Sequence, residues 1–169
     1  MSDVISPEEI EGRVDLRQEL TVTIDGADAK DLDDAVALVK REDGTFVLTV
    51  SIADVSYYVT ENSEMDKEAF ERGTSVYLTD RVVPMLPQRL SNGICSLHPY
   101  EERLTLTARM EIDRSGTIYQ HEIFPSVIQS NERLTYDEVN VLFNTNEASE
   151  KITPEIEEML WNMKELHKI

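Results

Sequence analysis

Five aspartates fall within ten consecutive positions: Asp25, Asp28, Asp31, Asp33 and Asp34, in the stretch Thr23-Ile-Asp-Gly-Ala-Asp-Ala-Lys-Asp-Leu-Asp-Asp34. Carboxylates held this close repel one another, so some take up protons or a cation joins them. A ligand set of hard oxygens, with no His or Cys beside it, suits Mg²⁺, Mn²⁺ or Ca²⁺. An EF-hand is excluded. Asp31-x-Asp33 opens like one, but the glycine and the distal glutamate of such a loop are missing. The competing account is a solvated turn that uses Asp for caps and unusual backbone angles, and Gly26 and Asp28 suit it. On residue types alone the two accounts weigh equally. An acidic chain makes acidic clusters by composition, and Glu155 to Glu158 reads as a wet helix face.

The acidic stretch lies between two apolar runs, and loops at strand ends are where a rigid sheet positions functional groups. Leu20 to Ile24 alternates as a half-buried strand does, and Ala35 to Val39 reads as a buried strand. Asp43-Gly44 is a hairpin signal, with Phe46 to Ile52 as the returning strand. Ser63 predicts a helix N-cap, Arg72 the helix end and Gly73 its C-terminal cap. Thr74 to Leu78 reads as extended. Arg81 to Tyr100 holds Pro84, Pro87 and Pro99, which predicts irregular chain with one helical turn. Leu104 to Ile112 alternates most clearly of all, Ser115-Gly116 turns it, and Thr117 to Ile128 returns. Thr135-x-x-Glu138 predicts a capping box. Thr153-Pro154 opens a last helix whose apolar stripe is Ile156, Met159, Leu160, Met163 and Leu166. That helix runs to Ile169 without a stop signal, so a piece of a longer protein is expected.

Composition narrows the class. The 169 residues suit one domain with an ordinary core. Sixteen Lys and Arg stand against 34 Asp and Glu, a net charge of −18. Such a chain repels polyanions on average, which excludes a nonspecific basic clamp on nucleic acid. It leaves open a site where carboxylates hold cations that in turn hold phosphate. No apolar run approaches the ~20 residues of a membrane span, and Met1 to Glu11 carry no apolar signal core. Cys95 is the only cysteine, so a reducing, cytoplasmic setting is the default.

Gly12-Arg-Val-Asp-Leu-Arg17, then Thr23 through Asp34 and on to Ala-Val36, closely resemble the start of the RNB catalytic domain of the ribonuclease II/ribonuclease R family. The nearest likeness is to its bacterial ribonuclease R branch. It continues through Ile52-Ala-Asp-Val-Ser56, Arg72-Gly-Thr-Ser-Val-Tyr-Leu78 and Val83-Pro-Met-Leu-Pro87. Leu90-Ser-Asn-Gly-Ile-Cys-Ser-Leu97 and Arg133-Leu-Thr-Tyr136 extend it over nearly the whole chain, in order. The resemblance implies an α+β fold, with a mixed, largely antiparallel sheet flanked by helices. It implies a processive exoribonuclease that takes the 3′ end of single-stranded RNA, not DNA and not a membrane, and releases nucleoside 5′-monophosphates. The family's four aspartates, D-x5-D-x-D-D, fall on Asp25, Asp31, Asp33 and Asp34 as Mg²⁺ ligands, with Mn²⁺ as a substitute; Asp28 lies outside the pattern. Asp25 and Asp34 are expected to bind the tighter ion directly. Asp31 and Asp33 are expected to complete the cluster and to be the catalytic pair.

By the same resemblance Tyr77 packs against the last nucleotides of the RNA, whereas Val76-Tyr-Leu alone reads as a core tyrosine. Arg81, Arg89 and Arg103 are offset by Asp80, Glu101 and Glu102, which predicts surface pairing. Cys95 reads as a buried small residue, and His98, His121 and His167 lack ligand spacing. The family's later aromatic, its late acidic residues and its catalytic arginine are not in residues 1–169, nor are the cold-shock-like and S1 domains. The chain is therefore expected to be the N-terminal part of the catalytic domain, inactive alone. The rival from another class is a non-catalytic RNA- or partner-binding module with an RNB-like fold. Four intact, mutually repelling aspartates speak against it. The order of motifs beyond the acidic loop speaks against a mere cation-binding domain.

Overall fold

The computed structural model describes residues 4–169, so the first three residues of the stretch read for a signal lie outside it. In chain order the elements are α1 (Pro7–Ile10), β1 (Val14–Asp15), β2 (Val22–Asp25), β3 (Asp34–Lys40), β4 (Phe46–Ala53), α2 (Val55–Tyr58) and α3 (Glu64–Arg72). There follow β5 (Val76–Tyr77), β6 (Val82–Val83), a wide π-type turn (Leu90–Ile94), β7 (Glu102–Ile112), β8 (Ile118–Gln129), β9 (Glu132–Thr135), α4 (Tyr136–Thr145) and α5 (Pro154–Leu166).

Seven of the strands form one sheet in the order β1-β8-β7-β4-β3-β2-β9. Its interior pairs are antiparallel, while β1 runs parallel to β8 at one edge and β9 parallel to β2 at the other. This is the expected α+β class with a mixed, largely antiparallel sheet. The β3–β4 hairpin turns at Gly44, whose φ of +81° suits a residue without Cβ. The separate β5–β6 hairpin stands beside the sheet.

Caps act where the sequence places them. Ser63 Oγ accepts from the Asp66 N–H at 3.1 Å, and Gly73 ends α3 with φ 70°. Thr135 and Glu138 exchange the two bonds of a capping box, and Thr153 caps α5 ahead of Pro154. Five short elements escape the periodicity: α1, β1, α2, β6 and β9. Each has four residues or fewer, and β9 takes its place by parallel pairing to a distant strand, which local pattern does not encode.

Two apolar clusters hold the fold. One packs α4 and α5 on the sheet through Val22, Leu38, Phe46, Leu142, Ile156 and Leu160. The other joins Leu32, Ala35, Ala53, Leu90, Ile94 and Leu97, and so ties the acidic loop to the π-type turn. No helix among the described residues is long and apolar enough to cross a membrane.

Candidate active site

β2 ends on Asp25 and β3 begins on Asp34, and these neighbouring strands pair with Val22 opposite Val36. The acidic segment is therefore the loop that closes two adjacent strands. Leu32 fixes its middle. The side chain is fully buried, its N–H donates to Ser96 Oγ at 3.0 Å, and its carbonyl accepts from the Leu97 N–H at 2.8 Å. The Asp33 carbonyl accepts from the Ala53 N–H at 2.9 Å. With Leu32 turned into the core, the carboxylates on either side turn outward; Asp33 and Asp34 are exposed, Asp25 and Asp31 half-buried. Arg133 of β9 holds the other half of the loop, donating to the Ala29 carbonyl at 2.7 Å and the Ala27 carbonyl at 3.4 Å.

The four aspartates feel one another. Burial raises the Asp25 pKa first, then the charges of Asp34 and Asp33, against the opposing Arg133 guanidinium. Burial also raises Asp33, reinforced by Asp31 and Asp34, although its side chain still reaches solvent. Asp25 Oδ2 is buried without a hydrogen-bond partner, an acceptor that a cation would satisfy. The donor set is all carboxylate oxygen, the chemistry of Mg²⁺ or Mn²⁺. Among the described residues no three acidic, His or Cys side chains close on one point as ligands. The repulsion that raises Asp25 and Asp33 works against tighter grouping. In donor chemistry, then, the residues fit a divalent ion.

Tyr77 is not a core residue. It is 68 % exposed on the β5–β6 hairpin, and its phenol donates to Asp31 Oδ2 at 3.4 Å. It lines a cleft of about 500 Å³ with Lys30, Asp31, Gln88, Ser91 and Asn92. A second hollow, about 280 Å³, shares Asp31 and Ser91 with the first and adds Asp33. A roomier cavity, about 680 Å³, lies elsewhere, between Lys40, Arg41, Arg109 and α5, and includes none of the four aspartates. The chemistry-bearing residues define the site better than cavity size does.

Arg81 pairs with Asp80 as the sequence predicts. Arg103 departs from the surface pairing expected of it. It is 4 % exposed, donates to the Ser96 and Glu102 carbonyls at 2.8 Å each, and also bonds Glu101. Cys95 is buried, and burial pushes its thiol up to about 12, which rules it out as a nucleophile. Ser96, Arg103 and Arg133 escaped the sequence reading as supports of the acidic loop. The loop groups that Ser96 and Arg133 hold are backbone atoms distant in sequence, whereas Arg103 bonds chain within ten residues of itself and reaches the loop only through Ser96.

The RNB domain profile matches residues 13–169. Ribonuclease R 1 of Lactococcus lactis is 58 % identical over 161 residues, which is 95 % of this chain and 20 % of that protein. Ribonuclease R of Thermotoga maritima is 48 % identical over 165 residues, 98 % of this chain and 23 % of that protein. The structure of Mycoplasma genitalium RNase R in complex with double-stranded RNA matches with a TM-score of 0.92 at 36 % identity, covering 99 % of this chain and 30 % of that one. The chain thus spans about a fifth of the length of the curated relatives it matches. With the match running from Arg13 to Ile169 across every element of the sheet and the acidic loop, the chain belongs to the RNB domain family.

Proposed function

We propose that the protein carrying this chain is a Mg²⁺-dependent, processive 3′→5′ exoribonuclease that works in the cytoplasm. Residues 1–169 form the N-terminal part of its catalytic domain. One observation supports this reading: Asp25 at the end of β2, Asp34 at the start of β3, and Asp31 and Asp33 in the short loop between them stand beside a cleft walled by an exposed tyrosine. Hydrolysis of a phosphodiester needs an activated water, a stabilised pentacovalent phosphorus and a 3′-oxygen leaving group. Divalent ions held by these aspartates would supply such chemistry when bound, and would reverse the local negative charge. Asp25 and Asp34, on the rigid strand ends, would hold the tighter ion. Asp31 and Asp33, on the pinned loop, would complete the set and orient the attacking water. Tyr77 offers a ring face to a terminal base, a contact that tolerates any sequence. The isolated chain, a fifth of its relatives' length, releases no mononucleotides by itself.

The test uses the full-length protein and single-stranded RNA labelled at its 5′ end. Stepwise shortening with release of 5′-monophosphates, arrest by EDTA and loss of hydrolysis in Asp33→Asn with RNA still bound is the expected outcome. DNA of the same sequence stays intact. RNA binding by the unaltered protein with no hydrolysis in Mg²⁺ or Mn²⁺ would instead establish a non-catalytic binding module.

A further inference from the structure

We propose that Lys30 is a phosphate-binding residue of the RNA cleft. In this reading its ammonium takes a backbone phosphodiester next to the one addressed by the aspartates. The inference rests on the exoribonuclease reading.

Charge balance first draws notice to it. Sixteen cations face 34 acids, and Arg17, Lys40, Arg41, Arg103 and Arg109 each pair with a carboxylate. Lys30 stands between Asp28 and Asp31 in sequence distance of one to two residues. Yet it makes no hydrogen bond or ion pair among the described residues. Its own loop does not use its charge.

Position supplies the second argument. Lys30 lines the same cleft as Tyr77, together with the amides of Gln88 and Asn92 and the hydroxyl of Ser91. A hollow of about 500 Å³ falls in the range of small-ligand sites. It combines a ring for a base, neutral hydrogen-bonding groups and, beside the carboxylates of Asp28 and Asp31, one cation without a hydrogen bond or ion pair among the described residues. A lysine acts on phosphate as a point charge and needs no fixed fork geometry. The backbone beside it is fixed on both sides, by Arg133 at the Ala29 carbonyl and by Ser96 at the Leu32 N–H. The backbone on either side of Lys30 is therefore held while its exposed side chain stays available.

The experiment measures binding of single-stranded RNA to the full-length protein in EDTA, across a salt series. Lys30→Gln, Lys30→Arg and the unaltered protein are compared, with melting temperature alongside. A parallel set of RNAs carries one charge-neutral methylphosphonate, at a 2′-deoxy position, at each of the 3′-terminal linkages in turn. Lys30→Gln is expected to weaken binding several-fold at low salt. It should reduce the slope of log K against log salt by about 0.7, the value of one single-strand phosphate contact. Lys30→Arg keeps the slope, and the melting temperature does not move. One methylphosphonate position abolishes the difference between the unaltered protein and Lys30→Gln. An unchanged slope in Lys30→Gln overturns the assignment. So does an unchanged slope with tighter Mn²⁺ binding, which would make Lys30 a charge balance for the loop. Asp33→Asn separates the two readings. If it abolishes hydrolysis while Lys30→Gln changes no slope, only the Lys30 assignment fails. If it leaves hydrolysis intact, the exoribonuclease site itself is misassigned.

Discussion

The phenol of Tyr77 donates a 3.4 Å hydrogen bond to Oδ2 of Asp31, bridging 46 residues of sequence. Asp31 borders both hollows of the site, so one carboxylate stands where the exposed tyrosine ring and the aspartate loop meet. The negative charge of Asp31 is also the first cause that raises the tyrosine's pKa, so the phenol stays protonated and remains a donor at neutral pH.

Tyr77→Ala is expected to leave stability within about 0.5 kcal/mol, because an exposed side chain leaves no cavity. In the full-length protein it should still degrade long RNA but stop at a different final length, since one lost stack is worth ~1–3 kcal/mol of contact at the terminal nucleotides. Tyr77→Phe keeps the stack and removes the bond to Asp31, and should restore the end-product length. Melting temperature and product length are read together. A drop of ~3–5 kcal/mol, the range for a deleted buried ring, with unchanged products would return Tyr77 to a packing role.

The contrast between Tyr77 and Arg103 shows what the sequence could say. Alternation marked Leu104 to Ile112, and β7 covers Glu102–Ile112. Capping residues marked α3, α4 and α5 because an N-cap is a local hydrogen bond within four residues. The aspartate spacing was equally legible, and the two strand-end positions of Asp25 and Asp34 follow from the apolar runs on either side. Residue types alone could not decide whether Tyr77 is buried or wet, since Val76-Tyr-Leu suits both. Arg103 looked like a surface residue among Glu101 and Glu102. It instead turns back on the preceding chain, donating to the carbonyls of Ser96 and of its own neighbour Glu102, and residue type alone does not show that inward direction. The parallel edge strands β1 and β9 were invisible because only the folded chain brings their partner strands near.

Asp25 and Asp33 give a pH and metal prediction. Both have folded-state pKa values raised above the ordinary 3.8. The stability tied to their protonated forms is fully present below that value and is lost as pH rises through the raised one. At neutral pH in EDTA, Asp33→Asn should therefore melt higher than the unaltered chain. Mn²⁺ should raise the melting temperature of the unaltered chain, with about 2.7 kcal/mol gained at one hundred times Kd. The double change Asp25→Asn with Asp34→Asn should lose that gain. Calorimetry in EDTA and in Mn²⁺ decides it. An equal metal response in both proteins would mean diffuse ion binding over the acidic surface.

Cys95 should be inert in the native protein. A thiol pushed up to about 12 is ionised in only about one molecule in ten thousand at pH 8, and the side chain is buried. Iodoacetamide at pH 8 should label it only after unfolding in denaturant. Rapid labelling of the folded chain would show that the Leu90–Ile94 turn opens far more often than its buried contacts imply.

The last prediction concerns the scaffold under the aspartates. Arg103 holds the Ser96 carbonyl at 2.8 Å, and Ser96 Oγ accepts from the N–H of buried Leu32 at 3.0 Å, between Asp31 and Asp33. The guanidinium thus acts on the site through one serine. Removing Arg103 takes the guanidinium donor from the buried Ser96 carbonyl and from the Glu102 carbonyl, while the Gly93 carbonyl keeps the Ser96 N–H at 2.9 Å. Arg103→Ala should cost about 2–5 kcal/mol, a lost donor on a buried carbonyl together with the void that a 4 % exposed side chain leaves. Ser96→Ala is gentler. It leaves the Leu32 N–H without its acceptor, at about 1–3 kcal/mol, and frees the loop that aims Asp31 and Asp33. Because Ser96 is fully buried and lines neither hollow of the site, its loss should lower kcat of the full-length protein at least several-fold with little change in KM for RNA. The loss should be largest at low Mg²⁺, where a loosened ligand set binds the ion least well. Comparing kcat, KM and the Mg²⁺ midpoint of Ser96→Ala with those of the unaltered protein, at a temperature where both are folded, tests this. Full kcat with an unchanged Mg²⁺ midpoint would show that the loop holds its aspartates without the serine.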